Sequence, residues 1–171
     1  MGLDPAIKTA IEYEKKVHAT CKDAVGEISD PAGKRVFGVL AKEELEHIHY
    51  LQSCLITWQE DGAISGEALA TALPGVPEIE AGLERLKEKV AEWEDPRPKE
   101  IELLRRAVAA EQETSGFYRK MVEELPAEQG ELFARFLEIE EGHLAIVGAE
   151  LDAVAGFGYW FDNPEWKFAD G

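Results

Sequence analysis

The chain has 171 residues, 45% of them hydrophobic, which suits a single globular domain with a core of its own. Its 35 acidic residues outnumber 18 basic ones, and the net charge of -17 argues against nucleic acid and anionic membranes as partners. The sequence has no CxxC motif, no apolar run of membrane-spanning length and no apolar N-terminal segment of signal-peptide length. We therefore expect a soluble cytoplasmic protein without a cysteine-ligated metal site.

Two long amphipathic helices are predicted in the first third of the chain. Asp4-Pro5 is typical of an N-cap followed by the first helical residue, and apolar residues then recur at helical spacing as far as Ile28. Asp30-Pro31 repeats this start, and a second apolar stripe continues to Trp58. A helix of about 25 residues is roughly 38 Å long, which sets the length of the predicted bundle.

A long connection and two further helices follow. Residues 61–77 are rich in Gly and Pro, and a shorter amphipathic helix comes after them. Pro98 opens the third long helix and Pro126 opens the fourth. The connection over residues 61–97 is long enough to cross the bundle, so helices two and three can run parallel. The sequence therefore predicts an all-α four-helix bundle over residues 1–155, with one long crossover connection that contains a short helix.

The second and fourth long helices each carry a Glu-x-x-His motif. Glu44 and His47 lie in the segment LAKEELEHIHYL, and Glu140 and His143 lie in FLEIEEGHLAIV. Residues three apart on a helix are neighbours on one face, so each pair can hold one metal or bridge to a second. In a chain this rich in Glu, a single such motif is more often an exposed pair than a metal site.

The first and third long helices each place one carboxylate inside an apolar stripe. Glu14 precedes Glu44 by 30 residues, and Glu111 precedes Glu140 by 29 residues, so the order of buried Glu, turn and Glu-x-x-His occurs twice. A lone Glu on an apolar stripe is often an edge residue that reaches solvent. The repetition with matching spacing argues against coincidence.

Electrostatics favours a metal centre over a metal-free core. Four unpaired carboxylates in one core would be prohibitively costly without protonation or cations, and two divalent metals would neutralise them. Mixed carboxylate and imidazole ligation suits iron, with manganese or zinc as possible substitutes. The predicted ligands follow the pattern of di-iron carboxylate bundles, and they are Glu14, Glu44, His47, Glu111, Glu140 and His143.

The four helical segments AIEYEKKVHATCKDA, LAKEELEHIHYL, AAEQETSGFYRKM and LEIEEGHLAIV resemble those of rubrerythrin-like proteins in the ferritin superfamily. The resemblance covers roughly residues 5–155. It implies a two-iron site that reacts with peroxide or oxygen, with Glu44 and Glu140 as bridging ligands. The chain departs from the family in two ways: it has no rubredoxin domain, and Thr114 stands where rubrerythrins carry an extra carboxylate.

The leading functional hypothesis is a di-iron oxidoreductase that reduces hydrogen peroxide with electrons from an external electron-donor protein. A ferroxidase that oxidises Fe(II) with oxygen is the alternative within the same class. Iron storage or delivery is a second class of function. A metal-free helical scaffold, with its carboxylates solvated or protonated, is a third.

Three features outside the predicted ligand set lead to further expectations. His18 is interpreted as a hydrogen-bonded histidine at the edge of the core in preference to an extra ligand, and Tyr118 as a core residue that could also hydrogen-bond a ligand. Cys21 and Cys54 lie on opposite sides of the metal level, which excludes a disulfide. The aromatic tail over residues 156–171 is expected to dock on the bundle or on a partner subunit, and we favour a homodimer.

Overall fold

A computed structural model of the chain describes residues 1–29, 31–64, 69–71, 73–89 and 97–156. The described residues form five helices and no strand, which confirms the all-α prediction. The helices are α1 (Leu3–Glu27), α2 (Pro31–Asp61), α3 (Val76–Lys89), α4 (Pro98–Glu124) and α5 (Ala127–Gly156). The aromatic tail beyond Gly156, including its predicted docking, lies outside the described residues, as does the predicted capping residue Asp30.

Helices α1 and α2 form an antiparallel pair. Gln59 near the end of α2 donates a hydrogen bond of 2.6 Å to Asp4 at the start of α1, while His18 contacts the Ala41 carbonyl at 2.7 Å. Asp4 was predicted to cap α1, but the helix begins two residues earlier than predicted, at Leu3, with Gly2 as its N-cap. Asp4 instead lies in the first turn, where a carboxylate interacts favourably with the helix dipole.

Helices α4 and α5 form the second antiparallel pair, since only Leu125 and Pro126 separate them. Helix α1 also runs antiparallel to α4: Tyr13 stacks on Phe117, and three residues further along α1, Lys16 pairs with Glu113. Helices α2 and α4 therefore run in the same direction, and the connection between them must cross the length of the bundle. This is the ferritin-like arrangement with one long crossover. Helix α3 lies within that crossover and packs against α5.

Two apolar clusters fill the bundle, one towards each end. The Phe37 cluster includes Val17, Cys21, Ala24, Val36, Phe37, Leu40, Ile79, Leu104, Ala107, Ile146 and Val147. The Phe133 cluster includes Ala6, Ile7, Ala10, Leu51, Cys54, Tyr118, Met121, Leu132, Phe133 and Phe136. Cys21 and Cys54 fall in different clusters and are both free thiols, as the excluded disulfide requires.

A layer of polar side chains separates the two clusters. In sequence it falls between the cluster residues of every long helix; on α1, for example, Glu14 lies between Ile11 and Val17. Among the described residues, no helix combines the length and apolar character needed to cross a membrane. The middle of the bundle thus holds the residues that the sequence singled out for metal binding.

Candidate metal centre

All six predicted ligands are buried in the polar layer. None has more than 1% of its surface exposed, although carboxylates are seldom fully buried in proteins. The buried set is Glu14, Glu44, His47, Glu111, Glu140 and His143. The layer forms because the stripe positions that carry apolar residues elsewhere on each long helix carry acids and histidines here.

Four of these residues form one compact group. Glu44, His47, Glu140 and His143 each offer one ligand atom, and these atoms all lie within 4.8 Å of one another. The imidazole rings of His47 and His143 stack with their centroids 5.3 Å apart and their planes 7° from parallel. The two Glu-x-x-His motifs, 96 residues apart in the chain, therefore face each other across the bundle and could hold a metal ion.

His47 connects this group to Glu14. Its Nδ1 lies 3.1 Å from Glu14 Oε2, 3.1 Å from Glu140 Oε1 and 3.6 Å from Glu44 Oε2. The single Nδ1 proton has hydrogen-bond geometry towards Glu14. Burial alone would lower the pKa of His47, but the nearby carboxylates of Glu14, Glu140 and Glu44 raise it well above its ordinary value.

Glu14 also accepts a hydrogen bond from the Tyr118 hydroxyl. Burial acts to raise the pKa of Glu14, but hydrogen bonds from His47 and Tyr118, among others, bring it below its ordinary value. Tyr118 is wholly buried in the Phe133 cluster, so it both fills the core and orients a predicted ligand. The Tyr118 hydroxyl donates to Glu14 Oε1, and Glu14 Oε2 faces His47 Nδ1.

His143 is held at both ring nitrogens. Nδ1 contacts Glu44 Oε1 at 2.7 Å, and Nε2 contacts Glu43 Oε2 at 2.9 Å. Burial alone would lower the pKa of His143, but Glu140 and the hydrogen bonds to Glu43 and Glu44 raise it well above normal. Both ring nitrogens are therefore directed at carboxylates, and a metal that bound Nδ1 would replace a proton there.

Glu43 is a buried acid of the layer that was not among the predicted ligands. It is only 5% exposed and contacts His143 from the outer side of the ring. A signal was present, because Glu43 lies seven residues after Val36 and three after Leu40, on the buried stripe of α2. Glu44 was predicted as the ligand instead, because it lies three residues before His47 and completes the Glu-x-x-His motif.

Several carboxylate oxygens in the layer accept no hydrogen bond. Glu44 Oε2 and both oxygens of Glu111 and of Glu140 are buried without a hydrogen-bond partner. Burial and the charges of Glu140 and Glu14 raise the pKa of Glu44 to about 8. Burial and the charges of Glu44 and Glu140 likewise raise the pKa of Glu111 well above normal, which places Glu111 beside the same group.

Buried carboxylate oxygens that accept no hydrogen bond are typical of a site that binds a cation. The oxygens concerned belong to acids on α2, α4 and α5. Glu44 Oε2 and Glu140 Oε1 lie 3.6 Å and 3.1 Å from His47 Nδ1, and Glu140 Oε2 lies 3.9 Å from His143 Nδ1. Ionised carboxylates and neutral imidazoles suit divalent transition metals such as iron and manganese. The residues present therefore fit a metal centre.

Three neighbouring residues lie outside the compact group. His18 donates from Nδ1 to the Ala41 carbonyl at 2.7 Å and is partly buried, which agrees with its interpretation as a hydrogen-bonded residue at the core edge. Thr114 is fully buried, and its hydroxyl donates to the Ala110 carbonyl of the preceding turn at 3.0 Å. His49 is exposed.

A surface cleft of about 370 Å³ lies beside the polar layer, between the crossover and α5. Its walls include Thr71 and Leu73 on the crossover side and Arg135, Ile139 and Gly142 on α5. Ile139 and Gly142 directly neighbour Glu140 and His143 in sequence. The cleft therefore borders the turn of α5 that carries the second Glu-x-x-His motif.

Comparison of the chain with protein-family models, with curated proteins and with solved structures finds no match in any of the three. The assignment of the site accordingly depends on its own geometry: a buried carboxylate and histidine group, in a ferritin-like helical bundle, that could hold a metal ion.

Proposed function

We propose that the chain is a non-haem di-iron oxidoreductase, similar to rubrerythrins, that reduces hydrogen peroxide. The observation that carries this proposal is the buried group of Glu44, His47, Glu140 and His143, whose ligand atoms lie within 4.8 Å of one another. Two Fe ions would be held by these four residues together with Glu14 and Glu111. When bound in the ferrous state, the metals would supply two electrons and Lewis acidity for reduction of peroxide to water.

The protein's own contribution is position, charge and exclusion of water. Tyr118 orients Glu14, which in turn contacts His47 Nδ1. Glu43 orients His143 through a contact with its Nε2. The apolar clusters on both sides exclude bulk water, which strengthens every charge interaction in the layer. We propose the cleft beside Ile139 and Gly142 as the approach for a small oxidant.

A ferroxidase that uses oxygen is the alternative, and one residue favours it. Thr114 replaces the carboxylate that rubrerythrins carry at this position, and its hydroxyl is bonded within its own helix. The helix therefore offers no fifth carboxylate, and so no seventh ligand, at that place. Iron storage or delivery would require a closed shell of many subunits, which the mass in solution would reveal.

The test is anaerobic loading with two equivalents of Fe(II), followed by separate mixing with peroxide and with oxygen in a stopped-flow spectrometer. We expect oxidation by peroxide to be faster. Faster oxidation by oxygen would support the ferroxidase. Rates no greater than those of a Glu44→Ala variant with either oxidant would contradict both redox functions.

The oligomeric state belongs to the same proposal. We propose an external electron-donor protein, because the chain contains no cysteine-ligated electron-transfer motif. We also propose a homodimer, because the aromatic residues of the tail could dock on a second subunit. Truncation after Val154, followed by light scattering and thermal melting, separates a tail at the subunit contact from a tail that caps its own bundle. Loss of the dimer with retained melting supports the former, and lower melting at unchanged mass supports the latter.

A further inference from the structure

The two Glu-x-x-His motifs are matched in sequence but not in their surroundings. A shift of 96 residues superimposes Glu44 on Glu140 and His47 on His143, and it places Ile139 at the position of Glu43. Glu43 is buried and accepts from Nε2 of His143 at 2.9 Å. The isoleucine side chain has no atom that could accept the equivalent hydrogen bond from His47.

The outer nitrogen of His47 is correspondingly unsupported. His47 Nε2 is buried and has no hydrogen-bond partner among the described residues, whereas its Nδ1 faces Glu14 and Glu140. The ring packs edge-on against Phe136, with the centroids 5.4 Å apart. One histidine of the layer is therefore held at both nitrogens and the other at only one.

Glu43 is itself fixed from a third direction. The Thr71 hydroxyl donates to Glu43 Oε2 at 2.7 Å, and the Leu73 backbone N–H donates to Thr71 Oγ1 at 3.1 Å. Both residues belong to the crossover connection, which thereby reaches the metal layer through one carboxylate. A carboxylate tied to α2, the crossover and α5 has little freedom to turn away from His143.

A carboxylate that accepts from the outer nitrogen of a metal-binding histidine fixes the tautomer and raises the basicity of the inner nitrogen. Loss of such a partner typically weakens metal binding by about 10- to 100-fold. We propose that Glu43 is a positioning residue that makes the two metal positions inequivalent, with the position on His143 binding its ion more tightly than the position on His47. This inference rests on the proposed two-metal function.

Cobalt(II) alone is a suitable probe, because its visible absorption follows coordination and its titration needs no oxidant. We expect the wild-type protein to bind two ions in two resolved steps. Glu43→Gln should weaken the tighter step by about 10- to 100-fold and leave the other within about threefold. The matched control is Glu46→Gln, which removes the same charge three residues away at an exposed position and should change neither step.

Thr71 offers a second test that leaves every carboxylate in place. Thr71→Val removes the hydroxyl that holds Glu43 and should weaken the same step by a smaller factor, while Thr71→Ser should restore it. These variants keep the inference testable if Glu43→Gln fails to fold, which thermal melting of the metal-free protein would show.

The outcomes separate this inference from the function on which it rests. Equal weakening of both steps, or no change in either, would overturn the positioning role of Glu43 while leaving a two-metal centre intact. Two wild-type steps of equal affinity would overturn the inequivalence. A wild-type protein that binds no cobalt would overturn the metal centre itself, and the inference with it.

Discussion

The apolar clusters and the polar layer between them make opposite contributions to the bundle. The Phe37 and Phe133 clusters bury aliphatic and aromatic side chains, whose removal from water stabilises the fold. The polar layer buries five acids and two histidines that contact one another, and several of its oxygens have no donor. Desolvation of those groups opposes folding unless protons or metal ions neutralise them.

The clusters therefore supply the stability of the bundle, and the layer supplies the candidate metal ligands. The clusters can hold the four long helices together on their own, so the layer need not be stable in isolation. Without metal, the desolvation of the buried acids lowers the free energy of unfolding, and cation binding would offset that loss. Removal of an unpartnered acid from the layer should therefore stabilise the metal-free protein, whereas truncation of a cluster residue should destabilise it.

The largest effect should come from the clusters. Leu104 is fully buried in the Phe37 cluster, and Leu104→Ala should lower the free energy of unfolding by about 2–5 kcal/mol, through lost burial and a residual cavity. Urea titration measures this change. Ile56→Ala is the matched control, since Ile56 is 55% exposed and its truncation should cost less than about 0.5 kcal/mol. Equal effects at the two sites would mean that the cluster is not the stabilising region.

Metal addition should give the next largest effect. At a free ion concentration of about a hundred times Kd, binding to the folded state adds about 2.7 kcal/mol of stability. For a chain of this size that corresponds to a rise in melting temperature of roughly 5–10 °C. Differential scanning calorimetry under anaerobic Fe(II) measures the rise, and Glu44→Ala should abolish it. A rise of the same size in Glu44→Ala would show that the ions bind outside the layer.

The pH dependence of the metal-free protein should expose the cost of the layer. Burial and neighbouring acids raise the pKa of Glu44 from 4.5 to about 8, so the folded state retains a proton that the unfolded state releases between those values. The raised pKa values of His47 and His143 act in the same direction above pH 6.5. Stability should therefore fall by roughly 1–3 kcal/mol from pH 6 to pH 9, since one pKa unit corresponds to about 1.4 kcal/mol.

Stability should also fall at low pH, because of Glu14. Hydrogen bonds lower the pKa of Glu14 despite its burial, so its contribution is present above pH 4.5 and is lost as the pH falls through its folded value. Thermal melts across the pH range, in the presence of a chelator, measure both limbs. Glu44→Gln should flatten the alkaline limb, and a wild-type protein that is most stable at pH 9 would contradict the account.

The smallest effect should come from a single hydrogen bond inside the layer. Tyr118→Phe removes the hydroxyl that donates to Glu14 but keeps the ring in the Phe133 cluster. We expect a loss of about 0.5–1.5 kcal/mol in the free energy of unfolding. Tyr13→Phe is the control, because Tyr13 stacks on Phe117 at the edge of the bundle and should tolerate the change. A larger loss than that of Leu104→Ala would show that the layer, and not the clusters, stabilises the fold.

Helical periodicity explains why most of the site could be predicted. Glu14 and Glu111 stood out because apolar residues surround them on one helical face, and that spacing alone places them in the core. The two Glu-x-x-His motifs were local in sequence and needed no knowledge of the fold. The crossover followed from the number of residues between α2 and α4, since chain length limits what a connection can span.

The remaining features depend on contacts between distant segments. The contacts of Glu43 involve His143, which lies 100 residues later, and Thr71 in the crossover, so the stripe of α2 could indicate its burial but not its partners. The start of α1 was misplaced for a different reason. Asp4 resembles a cap in sequence, but its side chain pairs with Lys8 and Gln59, and the helix extends past it to Leu3. The assignment of the six buried residues as ligands stays a prediction.

The most direct test of the central claim is the number of metal ions bound per chain. Anaerobic equilibrium dialysis against Fe(II), with the protein purified free of metal, should give about two ions per wild-type chain. A Glu44→Gln, Glu140→Gln double variant keeps the size of both side chains, removes two of the acids in the compact group, and should bind almost none. A wild-type protein that binds no more iron than the double variant would contradict the account.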